Sequence, residues 1–171
     1  MPIELSADLP PPLVPLAWLI GSWAGAGVVG YPTLEADSRF GQEVEFATDG
    51  RPFLRYTSRT WLLDDAGEKV RPLATEAGFW RPGATAPDGG IEVEVLLAHP
   101  TGFVEIYLGV AKGPRIDLAT DVVARTSTAK EYTAAKRLYG LVEGADLGWA
   151  MDMAAVGQPM RSHSSARLKR V

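Results

Sequence analysis

Few groups in this chain are equipped for chemistry. The sequence has two histidines, His99 and His163, and no cysteine. Disulfides, thiolate nucleophiles, zinc ribbons and iron–sulfur clusters are therefore excluded. No G-x-S-x-G elbow, P-loop, dinucleotide fingerprint or H-E-x-x-H pair is present. Two histidines alone do not make a His-rich zinc site, although carboxylates can complete one. An enzyme so short of conventional acid–base groups borrows its chemistry from a cofactor.

The most distinctive run is Gly21-Ser22-Trp23-Ala24-Gly25-Ala26-Gly27, followed by Val28-Val29-Gly30 and Tyr31-Pro32-Thr33. Its glycines permit sharp coiling and close backbone approach in a first strand, with Trp23 plugging one end. Thr33 stands in the turn just beyond. Taken singly, the other candidates read blandly. His163, between Ser162 and Ser164, reads as solvent-facing, and His99, before Pro100, as structural or exposed. Lys130 and Arg137 read as solvated surface cations. Met151 and Met153 lie on an apolar face and are more often core filler than metal ligands.

The elements that position these residues are strands. Turn signals stand at Asp49-Gly50, Asp65-Ala66-Gly67, Asp88-Gly89-Gly90, His99-Pro100-Thr101-Gly102, Lys112-Gly113-Pro114 and Glu143-Gly144. Between them the period is mostly two, as in Ile91/Val93/Val95, Val104/Ile106/Leu108 and Leu147/Trp149/Met151/Met153. Further strands are expected near 40–46, 53–63, 73–81, 116–123, 132–141 and 166–171. Residues 16–22 have room for one or two helical turns. About ten strands without a linker-like gap predict an all-β fold, a single antiparallel barrel over 13–171, preceded by a loose tail over 1–12. A ten-stranded barrel is wider than its own side chains fill, which leaves room for a ligand.

Composition narrows the partners. The 171 residues are 46% hydrophobic and 22% charged, an ordinary globular balance. The formal charge of −4 argues against a nucleic-acid partner, which needs a basic face. No apolar run approaches the length needed to span a bilayer. The Leu13–Ile20 stretch follows Glu4 and Asp8 and is broken by prolines, unlike a secretory signal. The expectation is a cytoplasmic protein with no membrane partner.

Several motifs together resemble one family. G-x-W-x-G-x-G followed by Tyr31-Pro32-Thr33 is similar to the signature of the nitrobindins, haem proteins on a barrel similar to that of fatty-acid-binding proteins. Pro52-Phe53-Leu54 with Tyr56 and Arg59-Thr60, Glu76-Ala77-Gly78-Phe79-Trp80-Arg81-Pro82, and Ala98-His99-Pro100-Thr101-Gly102 with Glu105 resemble further family segments. The ending, from Met153 through Gln158-Pro159-Met160 to His163 and Leu168, resembles the family's M-x-x-x-x-Q-P-L-x-x-H run. The resemblance covers residues 15–171, in order.

This resemblance implies a haem b cofactor, one per subunit, with His163 as proximal iron ligand. It also implies an isomerase that converts peroxynitrite to nitrate at ferric iron and binds nitric oxide when ferrous. One protein ligand leaves the opposite iron face open to a small molecule. Thr33 matches a family position that touches the haem, and Lys130 or Arg137 is placed to pair with a propionate. By alternation His163 shares a face with Arg167 and Lys169, which puts it in the turn before the last strand or those cations beyond the barrel rim. Val29 stands where the family often has glycine, and narrows the pocket or shifts the strand. The alternatives are a nitric oxide sensor or carrier without turnover, or a haem-free carrier of an apolar ligand. An exposed strand pair would suit a homodimer.

Overall fold

A computed structural model describes residues 7–171. Ten antiparallel strands, β1 (Gly21–Val29), β2 (Ser38–Ala47), β3 (Leu54–Leu63), β4 (Lys69–Thr85), β5 (Ile91–His99), β6 (Phe103–Ala111), β7 (Arg115–Arg125), β8 (Tyr132–Val142), β9 (Asp146–Ala155) and β10 (Arg161–Arg170), follow one another around a closed barrel. Each pairs with its chain neighbours, and β10 returns to β1. Closure leaves no strand edge to be protected. The expected all-β barrel is thus observed. Of the expected tail over 1–12, residues 1–6 lie outside the described residues, and Pro11 and Pro12 already belong to the first element.

That element is a 3-10 helix over Pro11–Leu19, earlier than the helical turns expected over 16–22. Proline suits the first helical positions because no N–H is needed there. Gly21, at φ 131°, then turns the chain directly into β1. Leu13, Leu16, Trp18 and Leu19 are buried, so the helix stoppers one end of the barrel. Trp23 Nε1–H donates to the Leu19 carbonyl at 2.8 Å, tying β1 to this stopper. Trp23 does plug an end, as its place in the motif suggests. Burying side chains of this size is worth about 1.5–3 kcal/mol each.

The β1–β10 seam needs small residues. A Cβ at Gly27 would overlap the Ser165 carbonyl and the Phe40 ring, so only glycine lets β10 and Phe40 come this close. Gly25 faces Leu168 across the same seam.

The last strand starts at Arg161, not at Ala166, and it is irregular. Ser162 pairs with Asp152 and Ser164 with Met151, so one step on β9 is matched by two on β10. The extra residue is His163. It therefore lies in a β-bulge within the strand, which corrects the expectation of a turn before it. A bulge interrupts alternation and re-aims a side chain. Ser164, Ala166 and Leu168 face inward opposite Met151, Trp149 and Leu147, while Arg167 and Lys169 are exposed. His163 is released from the parity that would have put it outside with those cations.

Candidate haem site

His163 and Gly30 extend the β1–β10 pairing beyond the end of β1. Gly30 N–H donates to the His163 carbonyl at 2.8 Å. His163 Nδ1 lies 3.0 Å from the Gly30 carbonyl oxygen. A carbonyl only accepts, so Nδ1 carries the proton in this contact. Burial lowers the His163 pKa below 6.5, the bond to Gly30 opposes this, and the charges of Lys130 and Arg137 lower it further. The ring is consequently neutral at neutral pH, with its lone pair on Nε2. Among the described residues Nε2 has no hydrogen-bond partner. This is the arrangement that fixes a metal-binding imidazole: one nitrogen anchored, the other free.

The ring plane is fixed as well. Tyr31 meets His163 edge-on, with centroids 5.7 Å apart and planes at 90°. Its hydroxyl donates to the Met153 carbonyl at 2.9 Å and accepts from the Ala155 N–H at 3.0 Å. Tyr31 thereby pins the turn after β1 to the end of β9. A depression of about 890 Å³ opens here, lined by Gly30, Tyr31, Met151, Asp152, Arg161 and His163 among others. Inside the barrel, Arg137, Met151, Ser164 and Val29 form one cross-strand row next to His163. Val29 therefore faces the interior beside Ser164.

Gly21, Trp23, Gly25 and Gly27 lie along β1, and the last three pair with β10 across the seam. Thr33 is exposed in the turn closed by the Leu34 N–H on the Tyr31 carbonyl. Lys130 precedes β8, and its charge acts on His163. Met153 is buried core, whereas Met151 lines the depression.

Arg137 is a correction. It is buried, 6% exposed, rather than a solvated surface cation. Its guanidinium grips Glu76 with Nη1 at 2.7 Å and Nη2 at 2.9 Å, and Nε donates to the Tyr107 hydroxyl at 3.0 Å. Burial pushes the Glu76 carboxyl up, but Arg137 outweighs it and leaves the pKa at about 2. The same balance of burial against His99 and Arg137 holds Glu105 below its usual range. Glu105 is closed in by His99, Tyr107 and Tyr132. This buried network escaped the sequence reading. Its signal was available: Glu105 and Tyr107 alternate with Val104, Ile106 and Leu108, and the polar set is the one that faces inward.

The fold and site define a closed β-barrel that carries one anchored imidazole, with its other nitrogen open, beside a surface depression. The chain belongs to the family described as "THAP4-like, heme-binding beta-barrel domain", whose model matches residues 12–170. It is 58% identical to the ferric nitrobindin-like protein of Kineococcus radiotolerans, over 100% of this chain and 99% of that protein. It is 54% identical to the peroxynitrite isomerase of Nocardioides sp., over 99% of each. The crystal structure of Rv2717c from M. tuberculosis superposes with a TM-score of 0.80 at 39% identity, covering 96% of this chain and 99% of that one.

Proposed function

We propose that this chain is a haem-dependent peroxynitrite isomerase that holds its haem through His163 Nε2. The observation that carries the reading is the Nδ1 contact with the Gly30 carbonyl, which presents a neutral, unpartnered Nε2. The family's haem-binding description and the peroxynitrite isomerase relatives support the same chemistry. Bound there, haem would supply an iron able to react with peroxynitrite when ferric and to bind nitric oxide when ferrous. The chain's own part is to hold and orient. Gly30 fixes the tautomer of His163, Tyr31 its plane, and Val29 and Met151 line the adjoining interior wall.

The charge of Lys130 acts on His163, and Thr33 lies in the exposed turn that begins at Tyr31. We assign them to the haem's polar edge, Lys130 toward a propionate and Thr33 as a hydroxyl donor. Arg137 is committed to Glu76 and is not available for that pairing. Catalysis of the isomerisation requires no side-chain base, in keeping with a site whose only imidazole is the metal ligand. No helix among the described residues is long and apolar enough to cross a membrane.

Stopped-flow mixing of the haem-loaded protein with peroxynitrite tests the activity. The expected result is decay faster than with an equal concentration of free haemin, with nitrate as product. Decay no faster than with free haemin rules out the isomerase.

A further inference from the structure

One inner row away from His163 lies a run of aromatic rings that haem binding does not require. Trp149 pairs with Ala166 in the row next to that of Met151 and Ser164. Its ring centroid is 6.4 Å from that of Tyr139, with planes 27° apart. Tyr139 lies 4.9 Å from Trp80, and Trp80 lies 6.0 Å from Tyr56. Tyr139, Trp80 and Tyr56 are buried. The four rings form one continuous contact chain from the wall beside the haem site into the core.

The polar atoms along this chain differ in a way that gives it a direction. Trp80 Nε1–H is buried with no partner among the described residues, so an oxidised Trp80 has nowhere among them to send its proton and keeps its full oxidising strength. Trp149 Nε1–H meets only the amide oxygen of Gln42, a poor base, at 2.7 Å. Tyr139 accepts a bond from the Arg137 guanidinium at 3.2 Å, and that charge disfavours a second positive charge on the ring. Tyr56 alone of the four donates to a carboxylate, Glu76 Oε1 at 2.5 Å. Arg137 keeps Glu76 ionised and ready to accept. An oxidised phenol is a far stronger acid than a carboxylic acid, so electron loss at Tyr56 transfers its proton to Glu76 and ends the chain there.

We propose that Trp149, Tyr139, Trp80 and Tyr56 form an electron-transfer relay that draws one-electron oxidants away from the haem pocket, with Tyr56 as its terminus and Glu76 as the acceptor of its proton. The oxidant is of the class that peroxynitrite homolysis releases, the nitrogen dioxide radical. One electron leaves Tyr56 and passes by way of Trp80, Tyr139 and Trp149 to nitrogen dioxide, which becomes nitrite. The Tyr56 O–H bond breaks, the proton joins Glu76, and a neutral tyrosyl radical remains. The proposal takes only the source of its oxidant from the isomerase reading.

Pulse radiolysis of the haem-free chain with azide radicals, which oxidise tryptophan first, tests the relay apart from haem binding or turnover. The expected trace shows tryptophanyl absorbance decaying as a tyrosyl band grows, in a phase independent of protein concentration. Tyr56→Phe should lose that growth with its initial tryptophanyl yield intact, and Trp80→Phe should lose it too. Tyr132→Phe, off the chain, should retain it. Near-ultraviolet circular dichroism verifies that each variant is folded. Undiminished tyrosyl growth in folded Tyr56→Phe, growth that scales with protein concentration, or loss of growth in Tyr132→Phe would each overturn the proposal.

Discussion

His163 and Gly30 are joined twice across the seam between the first and last strands, once by backbone at 2.8 Å and once through the imidazole Nδ1 at 3.0 Å. The same glycine thus extends the seam that closes the barrel and selects the tautomer of His163. Gly30 cannot be replaced without displacing Asp37, whose carboxylate occupies the space a Cβ would need. The barrel seam and the setting of the imidazole are therefore coupled.

Haem affinity should depend on pH through this ring. The folded-state pKa of His163 lies below 6.5, so Nε2 is free of protons at and somewhat below that value. Haemin affinity should hold as pH falls past 6.5 and drop only through the lowered pKa. The neutral ring's contribution to stability follows the same sign, present above the ordinary histidine value and lost on acidification. Soret titrations at a series of pH values measure this, and a fall in affinity centred above 6.5 contradicts it.

Tyr31→Phe keeps the ring edge against His163 but removes a hydroxyl that serves Met153 and Ala155. The cost should be about 1–3 kcal/mol in urea unfolding, because the buried groups it served lose their partner. Haem ligation should survive in this variant, whereas Tyr31→Ala, which also loses the ring, should show an altered Soret band.

Arg137→Met should destabilise by about 3–5 kcal/mol, since it strands the carboxylates of Glu76 and Glu105 in the barrel. Adding Glu76→Gln should recover part of that loss. In the wild type, the depressed Glu76 pKa contributes stability above 4.5 that disappears as pH falls toward about 2. Unfolding midpoints measured across that range should decline more steeply in wild type than in Glu76→Gln.

Gly27→Val should cost about 3 kcal/mol or more, because the new side chain meets the Ser165 carbonyl and the Phe40 ring at the seam. Thermal melting reads this directly. An equally substituted exposed position such as Ala26 should tolerate valine with little change.

Strand count, closure and the role of Trp23 were legible because period-two runs and turn residues are local signals. The position of His163 was not, because a bulge is set by how β9 and β10 pair and leaves no mark in alternation. Arg137 and Glu105 failed to declare themselves for a related reason. Period two says that a strand has two faces, and hydropathy chooses the apolar one as inner. Here β6 turns Glu105 and Tyr107 inward, and Arg137 on β8 compensates the charge. The Tyr31-Pro32-Thr33 run drew attention to Thr33, while the residue that touches His163 is Tyr31, through a contact 132 positions apart in the chain.

The central claim is that His163 Nε2 holds the haem iron, and a haemin titration of wild type beside His163→Ala tests it most directly. Wild type should develop a ferric Soret band distinct from free haemin, and His163→Ala should lose or markedly shift it. Indistinguishable spectra from the two proteins would contradict the account.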